Sequence, residues 1–329
     1  MAPFLQQTIM LMTRDNFRRT VLSMTNGQCS FCDARAVDTH HIMERKLWDD
    51  EGYYLENGCP LCETHHKLAE RNIITPNQCR ESMAYDKSIL PNQFSSIKDY
   101  DKWGKELEIK EHFNGWIKYP STIYFDFSPS NDTSEIFPTE ELVDCQLAIT
   151  IKMDGSNLTM TSDHIGARNG WSAKHPSFDM AKAEHAKIKK LIPENLQLFG
   201  EWLYAKHSIH YKGKMSLKNG LFQVFNIYDK ESHEFLNWEK VKKIAKQIGF
   251  QTTPIVKENV NYDKDWKLRN ELEKIGKKVV DSGHEGIVVR SVYSFHYSQF
   301  EKRLAKYVRK NHVQTNKHWS KGKIERNIH

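Results

Sequence analysis

The stretch IKMDGSNLTM occupies residues 151–160, where an alternating run (Leu147, Ile149 and Ile151 against Thr150 and Lys152) breaks into a turn carrying Lys152, Asp154 and Gly155. A lysine at the mouth of a turn is either surface charge or a nucleophile. As a nucleophile it must first lose a proton that it normally keeps up to a pKa of about 10.4, so nearby cations or desolvation must depress that value. Attack on a nucleotide would form a phosphoramidate and release pyrophosphate, whose charge calls for a divalent ion. One K-x-D-G is a weak signal. Downstream, in order, come GARNG with Arg168, LFGEWLY with Glu201, LFQVFNIYD with Phe225, EGIVVR with Glu285 and LAKYVRK with Lys306. Glu285 is the best metal candidate, and Glu201 can bind metal or a ribose hydroxyl. Lys306 can hold the α-phosphate and Phe225 can stack on a base. Taken singly these are ordinary strand-end acids, a core ring and surface charge; only their order within one segment makes them a set.

That ordered set resembles the covalent nucleotidyltransferase superfamily of ATP-dependent ligases and capping enzymes, and within it the RNA ligase family, particularly the nick-sealing RNA ligases. FGEWLYAKHSIHY and AKYVRKNHVQTNKHW are similar to members of that family, and the resemblance spans roughly residues 119–319. It implies that Lys152 takes up AMP from ATP, with Asp154 and Gly155 shaping the turn. It further implies that Arg168 supports the ribose and the sealing step, Glu201 contacts the ribose, Phe225 stacks on adenine, Glu285 holds metal and Lys306 grips the α-phosphate. The family's reaction passes AMP to a 5′-phosphate, after which a 3′-hydroxyl displaces it. Three positions depart from the family's habit: Ile151 where glutamate is frequent, Val308 where a second lysine is, and Asn226 where aspartate is.

A second constellation lies near the start. CSFC places Cys29 and Cys32 on one tight turn, where two thiolates can share one tetrahedral ion. LENGCPLCETHH offers two ways to complete the site: Cys59 with Cys62, or Cys62 with His65. The order His40-His41, Asn57, Cys62-x2-His65, His66 resembles the HNH nuclease family, a ββα-metal fold, over roughly residues 29–72. The resemblance favours Cys29, Cys32, Cys62 and His65 as zinc ligands. It implies that His40 and His66 hold a catalytic divalent ion, that His41 is the general base, and that Asn57 orients His41. The alternative is a zinc-stabilised binding module that cuts nothing, since so small a module needs its metal to fold in either case.

The elements that must position these groups follow from pattern. Thr13–Thr25 reads as a short helix with Thr13 as N-cap. Helical spacing recurs over Phe178–Leu191, Trp238–Ile248 and Trp266–Val280, and short strands over 145–152, 157–162, 197–203, 220–228, 285–292 and 303–309. Strands interspersed with helices indicate an α+β class. The expected organisation is an HNH-like zinc module (1–74), a connector with short helices (75–118), an antiparallel-sheet nucleotidyltransferase domain (119–310) and a basic tail (311–329) with no OB-fold.

With 329 residues, 39% hydrophobic and 27% charged, the composition is that of an ordinary globular protein. No apolar run approaches the ~20 residues of a membrane span, and no signal peptide is apparent, so a reducing cytoplasm is expected. Four of the six cysteines fall within residues 29–62, which points to metal; Cys79 and Cys145 read as buried thiols. The net charge of +6 gathers late, with five basic residues from Lys302 to Lys310, and has the sign of a polyanion-binding protein. His312, His318 and Trp319 give the tail a strand-contacting character. His207, His210 and His296 have no defensible metal spacing. The expected function is an ATP-dependent RNA ligase using ATP, Mg²⁺ or Mn²⁺ and Zn²⁺, acting on RNA or nicked duplex, with an HNH-like nuclease or binding module. A DNA-nick ligase, or an HNH nuclease with a binding-only second domain, are the alternatives.

Overall fold

A computed structural model of the chain describes residues 10–85, 88–109, 111–113, 116–130, 135–168, 173–211, 220–310 and 324–327. They fall into two compact units, Met1–Glu108 and Ile109–His329. The segment 75–118 is thereby divided between the two. His312, His318 and Trp319 lie outside the described residues.

In the first unit, α1 (Arg14–Met24) opens at Thr13, whose hydroxyl accepts from the Asn16 amide. Phe17 and Val21, one turn apart, bury against Tyr53. β1 (Asp38–His41) pairs antiparallel with β2 (Gly58–Leu61), placing His40 opposite Cys59 and His41 opposite Gly58. α2 (Glu63–Glu70) follows directly, so the strand–strand–helix order places Cys62 to His66 at the start of a helix. α3 (Pro76–Ser82) begins with a capping box between Thr75 and Gln78. A short hairpin of β3 (Asp99–Tyr100) and β4 (Glu106–Leu107) completes the unit.

The second unit starts with a paired β5 (Glu111–Phe113) and β6 (Trp116–Ile117). It continues through β7 (Ile123–Tyr124), β8 (Leu147–Lys152), β9 (Ser156–Met160), β10 (Ile165–Ala167), α4 (Asp179–Ile188), β11 (Leu196–Trp202) and β12 (Phe222–Asp229). Then come β13 (Glu234–Phe235), α5 (Trp238–Ile248), β14 (Gln251–Thr252), β15 (Ile255–Val260), α6 (Asp265–Asp281), β16 (Gly286–Ser291), β17 (Phe295–His296), α7 (Phe300–Arg303) and β18 (Leu304–Val308). One sheet runs β10-β9-β11-β12-β13-β17, with β14 parallel beside β12. The other runs β15-β8-β16-β18-β7, antiparallel except for its last pair.

Helical spacing decides which faces pack. Trp238, Val241, Ala245 and Ile248 of α5 bury against Leu198, Val224 and Ile227 of the first sheet. Each such fully buried large aliphatic side chain contributes about 1.5–3 kcal/mol. α6 turns Leu268, Leu272, Ile275 and Val279 inward. The α+β class is therefore observed, and the strands expected from alternation are present with shifted ends. β15 was not expected. It is an edge strand whose residues are all exposed or half-buried and whose pairing with β8 is irregular, so no alternation of apolar residues marks it. No helix among the described residues is long and apolar enough to cross a membrane.

Candidate functional sites

Strand register gathers the first set of residues. Val288 of β16 lies opposite both Thr150 of β8 and Lys306 of β18, while Lys152 lies opposite Gly286. Because side chains alternate along a strand, Thr150, Lys152, Val288 and Lys306 share one face. From the other sheet, Glu201 of β11 sits opposite Asn157 and Gln223. Phe199 pairs with Asn226 but Gly200 pairs with Val224, which leaves Phe225 as the extra residue of a β-bulge. A bulge re-aims a side chain, and Phe225 points into the cavity that Lys152, Arg168, Glu201 and Lys306 also line. Its volume is about 660 Å³, within the range of small-molecule sites.

The turn after β8 is tightly specified. Gly155 N donates to Glu201 Oε1 at 2.9 Å, and a Cβ on Gly155 would stand 2.6 Å from the Trp202 carbonyl oxygen. Asp154 does not face the cavity. Its amide donates to Tyr211 Oη at 2.8 Å and its Oδ2 accepts from Ile209 N at 2.6 Å. Lys152 Nζ lies 2.8 Å from Glu285 Oε2. A Cβ on the next residue, Gly286, would fall 1.9 Å from the Tyr307 carbonyl oxygen, so glycine is what lets β16 lie this close to β18. Lys306 Nζ sits 3.8 Å from the centre of the Tyr124 ring. Arg168 is exposed at the rim and donates to Ser121 Oγ at 3.0 Å.

The electrostatics differ from the expectation of a depressed lysine. Burial alone would lower the Lys152 pKa, but Glu285, Glu201 and Asp154 outweigh it and raise the value. The carboxylates of Glu285, Glu201 and Asp154 therefore favour the protonated amine. Burial, opposed by Lys152 and reinforced by Glu285, pushes Glu201 up to about 7.

Three residues of this cavity region carried no usable sequence signal. Arg290 is 2% exposed. It donates to Asn226 Oδ1 at 2.8 Å, Leu236 O at 2.8 Å and Phe225 O at 3.4 Å. The position noted as departing from aspartate, Asn226, thus faces a buried guanidinium through a neutral amide. Tyr119 packs edge-on to Phe225, and burial drives its hydroxyl up to about 12. His207 lines the cavity and meets Ser156 Oγ at 3.2 Å.

In the first unit the structure brings Cys29, Cys32, Cys62 and His65 together, with their donor atoms all within 4.8 Å of one another. His65 Nδ1 lies 3.3, 3.5 and 3.2 Å from the sulfurs of Cys29, Cys32 and Cys62. Cys59 points elsewhere, towards Ser30 Oγ at 3.5 Å and Ser82 Oγ at 3.8 Å. Three thiols and an imidazole at this separation suit a tetrahedral zinc ion. Burial, with the neighbouring Cys62 and Cys32 adding to it, pushes the Cys29 thiol up to about 12.

His40 and His66 converge with Glu70, which the sequence reading had not singled out. Glu70 Oε1 is 3.3 Å from His40 Nδ1 and 3.7 Å from His66 Nε2. Lys102, 4% exposed, stands 3.3 Å from the same oxygen and 3.1 Å from Glu44 Oε2. Burial opposes ionisation of Glu70, but His40 and Lys102 hold its pKa down to about 2. His41 stacks on Phe17 at 4.9 Å, and burial followed by the Lys102 charge lowers its pKa to about 4. Asn57 does not orient the His41 ring as expected. Its amide is occupied by Met43 N at 2.8 Å and by the Met43 and Gly52 carbonyls at 3.1 Å, so it braces the loop that follows His41.

Comparison with known proteins gives a family for the second unit only. Curated proteins offer no match. An archaeal ATP-dependent RNA ligase structure is 14% identical, aligning over 75% of this chain and 64% of that one at a TM-score of 0.41. A Naegleria gruberi RNA ligase with PPi is 19% identical over 86% and 77% of the two chains, TM-score 0.40. A mutant of a Naegleria gruberi RNA ligase with ATP and Mn is 18% identical over 92% and 83%, TM-score 0.41. This chain thus spans 64% of the length of the archaeal structure. The family described as RNA ligase matches residues 146–308, which hold Lys152, Arg168, Glu201, Phe225, Glu285 and Lys306. Residues 146–308, just under half of the chain, are thus similar to the RNA ligase family.

Proposed function

We propose that the chain is an ATP-dependent RNA ligase that joins 5′-phosphate and 3′-hydroxyl ends through a lysyl-AMP intermediate on Lys152. The observation that carries this is a cavity lined by Lys152, Glu201, Phe225 and Lys306, in which the Lys152 amine meets the Glu285 carboxylate at 2.8 Å. In the first step the neutral Lys152 amine attacks the α-phosphorus of ATP. A nitrogen–phosphorus bond forms, the bond to the β-phosphate oxygen breaks, and pyrophosphate leaves. Glu285 is placed to receive the amine's proton. Lys306 balances charge on the α-phosphate, and Phe225 offers a face to adenine. Arg168 and Glu201 meet the ribose side. In the next two steps the AMP passes to a 5′-phosphate oxygen and is then displaced by the 3′-hydroxyl. Glu285, with Glu201 near it, is a hard oxygen donor suited to Mg²⁺ or Mn²⁺, which would neutralise the departing pyrophosphate.

For the first unit we infer zinc at Cys29, Cys32, Cys62 and His65. The grouping of His40, His66 and Glu70 beside a neutral His41 supports a divalent-ion site of the HNH kind, in which His41 draws a proton from water. A binding-only module remains the competing assignment there.

Incubation with α-labelled ATP and Mg²⁺ tests the ligase. Wild type should become labelled and Lys152→Ala should not; an unlabelled wild type refutes the assignment. Sealing of matched RNA, DNA and mixed nicks then separates RNA from DNA preference. Incubation of plasmid and RNA with Mn²⁺ tests the first unit: cleavage that survives His41→Ala removes His41 as the base.

A further inference from the structure

The nucleophile turn is tied to the far end of the chain. Residues 324–327 add a short strap beside 204–206: Ala205 and Arg326 form an antiparallel bridge, and Lys206 N donates to Glu325 O at 2.8 Å. Asn327 is 5% exposed and its amide makes three hydrogen bonds. Nδ2 donates to Leu203 O at 2.7 Å and Ala205 O at 3.4 Å, while Oδ1 accepts from Tyr211 N at 3.0 Å. Tyr211 in turn offers its hydroxyl oxygen to Asp154 N at 2.8 Å, two residues from Lys152. Met153, Leu203 and Tyr211 form a separate buried cluster beneath the turn.

We propose that Asn327 is a positioning residue for the lysine nucleophile, acting through Tyr211. The physical reason is that the three-residue turn from Met153 to Gly155 takes its place from the groups that hydrogen-bond and pack against it. Asp154 is held by Tyr211 Oη and Ile209 N, and Met153 packs on Tyr211; that segment is pinned at Tyr211 N by a side chain from the strap. Asn327 suits the task because one primary amide can donate to two carbonyls and at the same time accept from an amide N–H. A buried network of this kind holds one geometry when every member is satisfied. The lysine must reach the α-phosphorus within a narrow range of distance and angle, so a small displacement of the turn slows attack more than it weakens nucleotide binding. The inference rests on the assignment of Lys152 as the AMP acceptor.

The test is the single-turnover rate of label transfer from α-labelled ATP, with KM for ATP, in full-length wild type, Asn327→Ala, Tyr211→Phe and the double variant. Each single variant should react about ten-fold or more slowly with KM little changed. The double should be no slower than the slower single, because both cut the same chain of contacts. Arg326→Ala, in the strap but outside that chain, should react at the wild-type rate. Unchanged rates in both single variants, losses that multiply in the double, or an effect confined to KM would each overturn the proposal. If Asn327→Ala loses its circular-dichroism signature of folding, Tyr211→Phe, which removes one hydroxyl, decides alone. An unlabelled wild type sinks the ligase assignment itself, and this inference with it; a labelled wild type with unaffected variants sinks this inference only.

Discussion

Lys152 and Glu285 meet at 2.8 Å although they are not partners in the strand ladder; Lys152 lies opposite Gly286, and the carboxylate reaches the amine from the preceding position. The Glu285 carboxylate helps to raise the Lys152 pKa and so favours the protonated amine. Nucleotide and a divalent ion drawing on the carboxylate would release it.

Glu285→Gln should therefore change two things in opposite directions. Loss of the negative charge lets the Lys152 pKa fall, so the rise of the lysine–AMP formation rate with pH should shift to lower pH. The maximal rate should drop roughly a hundred-fold because the charge on the leaving pyrophosphate is no longer balanced. Label-transfer rates from ~pH 6 to ~pH 10 check both. Lys152→Arg should give no label at any pH, since a guanidinium does not deprotonate.

Glu201→Gln should stabilise the metal-free, nucleotide-free protein. The Glu201 carboxyl is raised from 4.5 to about 7, so between these values the folded state retains a proton that the unfolded state has released. Stability then falls as pH rises through that window. Glutamine keeps the bond from Gly155 N but carries no charge. Its advantage should be absent below ~pH 4, grow towards neutrality, and level off on the order of 3 kcal/mol. Urea melts at several pH values measure it.

The protein should bind one zinc at Cys29, Cys32, Cys62 and His65 and keep it in Cys59→Ser, but lose it in Cys62→Ala or His65→Ala. Structural zinc contributes on the order of 10 kcal/mol, so chelation should unfold the first unit. With burial raising the Cys29 thiol to about 12, zinc uptake should release protons, and affinity should rise with pH. Elemental analysis and calorimetry in buffers of differing ionisation heat test these statements.

Lys102→Met removes the cation between Glu44 and Glu70. Partly exposed carboxylates limit the loss to about 2 kcal/mol. Added Mg²⁺ or Mn²⁺ should restore stability more in the variant than in wild type, because a divalent ion at His40, His66 and Glu70 supplies the missing charge. Thermal melting with and without metal checks this; equal metal-induced shifts would argue against Lys102 and the ion drawing on the same carboxylate.

Much was legible in the residues alone because the information was local. Cys29 and Cys32 on one turn, alternation through Ile149 and Ile151, and the helical spacing of Trp238, Val241 and Ala245 each declare their local structure within a few positions. Of the residues singled out by their order, Lys152, Arg168, Glu201, Phe225 and Lys306 line one cavity, and Glu285 meets Lys152. What tertiary structure alone decided concerned partners far apart in sequence. Lys102 belongs beside His40 and Glu70, Arg290 beneath Phe225, and Asn327 behind Asp154, and no spacing rule links 102 with 70 or 327 with 154. The sign of the Lys152 shift was decided there too. A pKa depends on the sum of burial and every neighbouring charge, and that sum exists only once the strands have been brought into register.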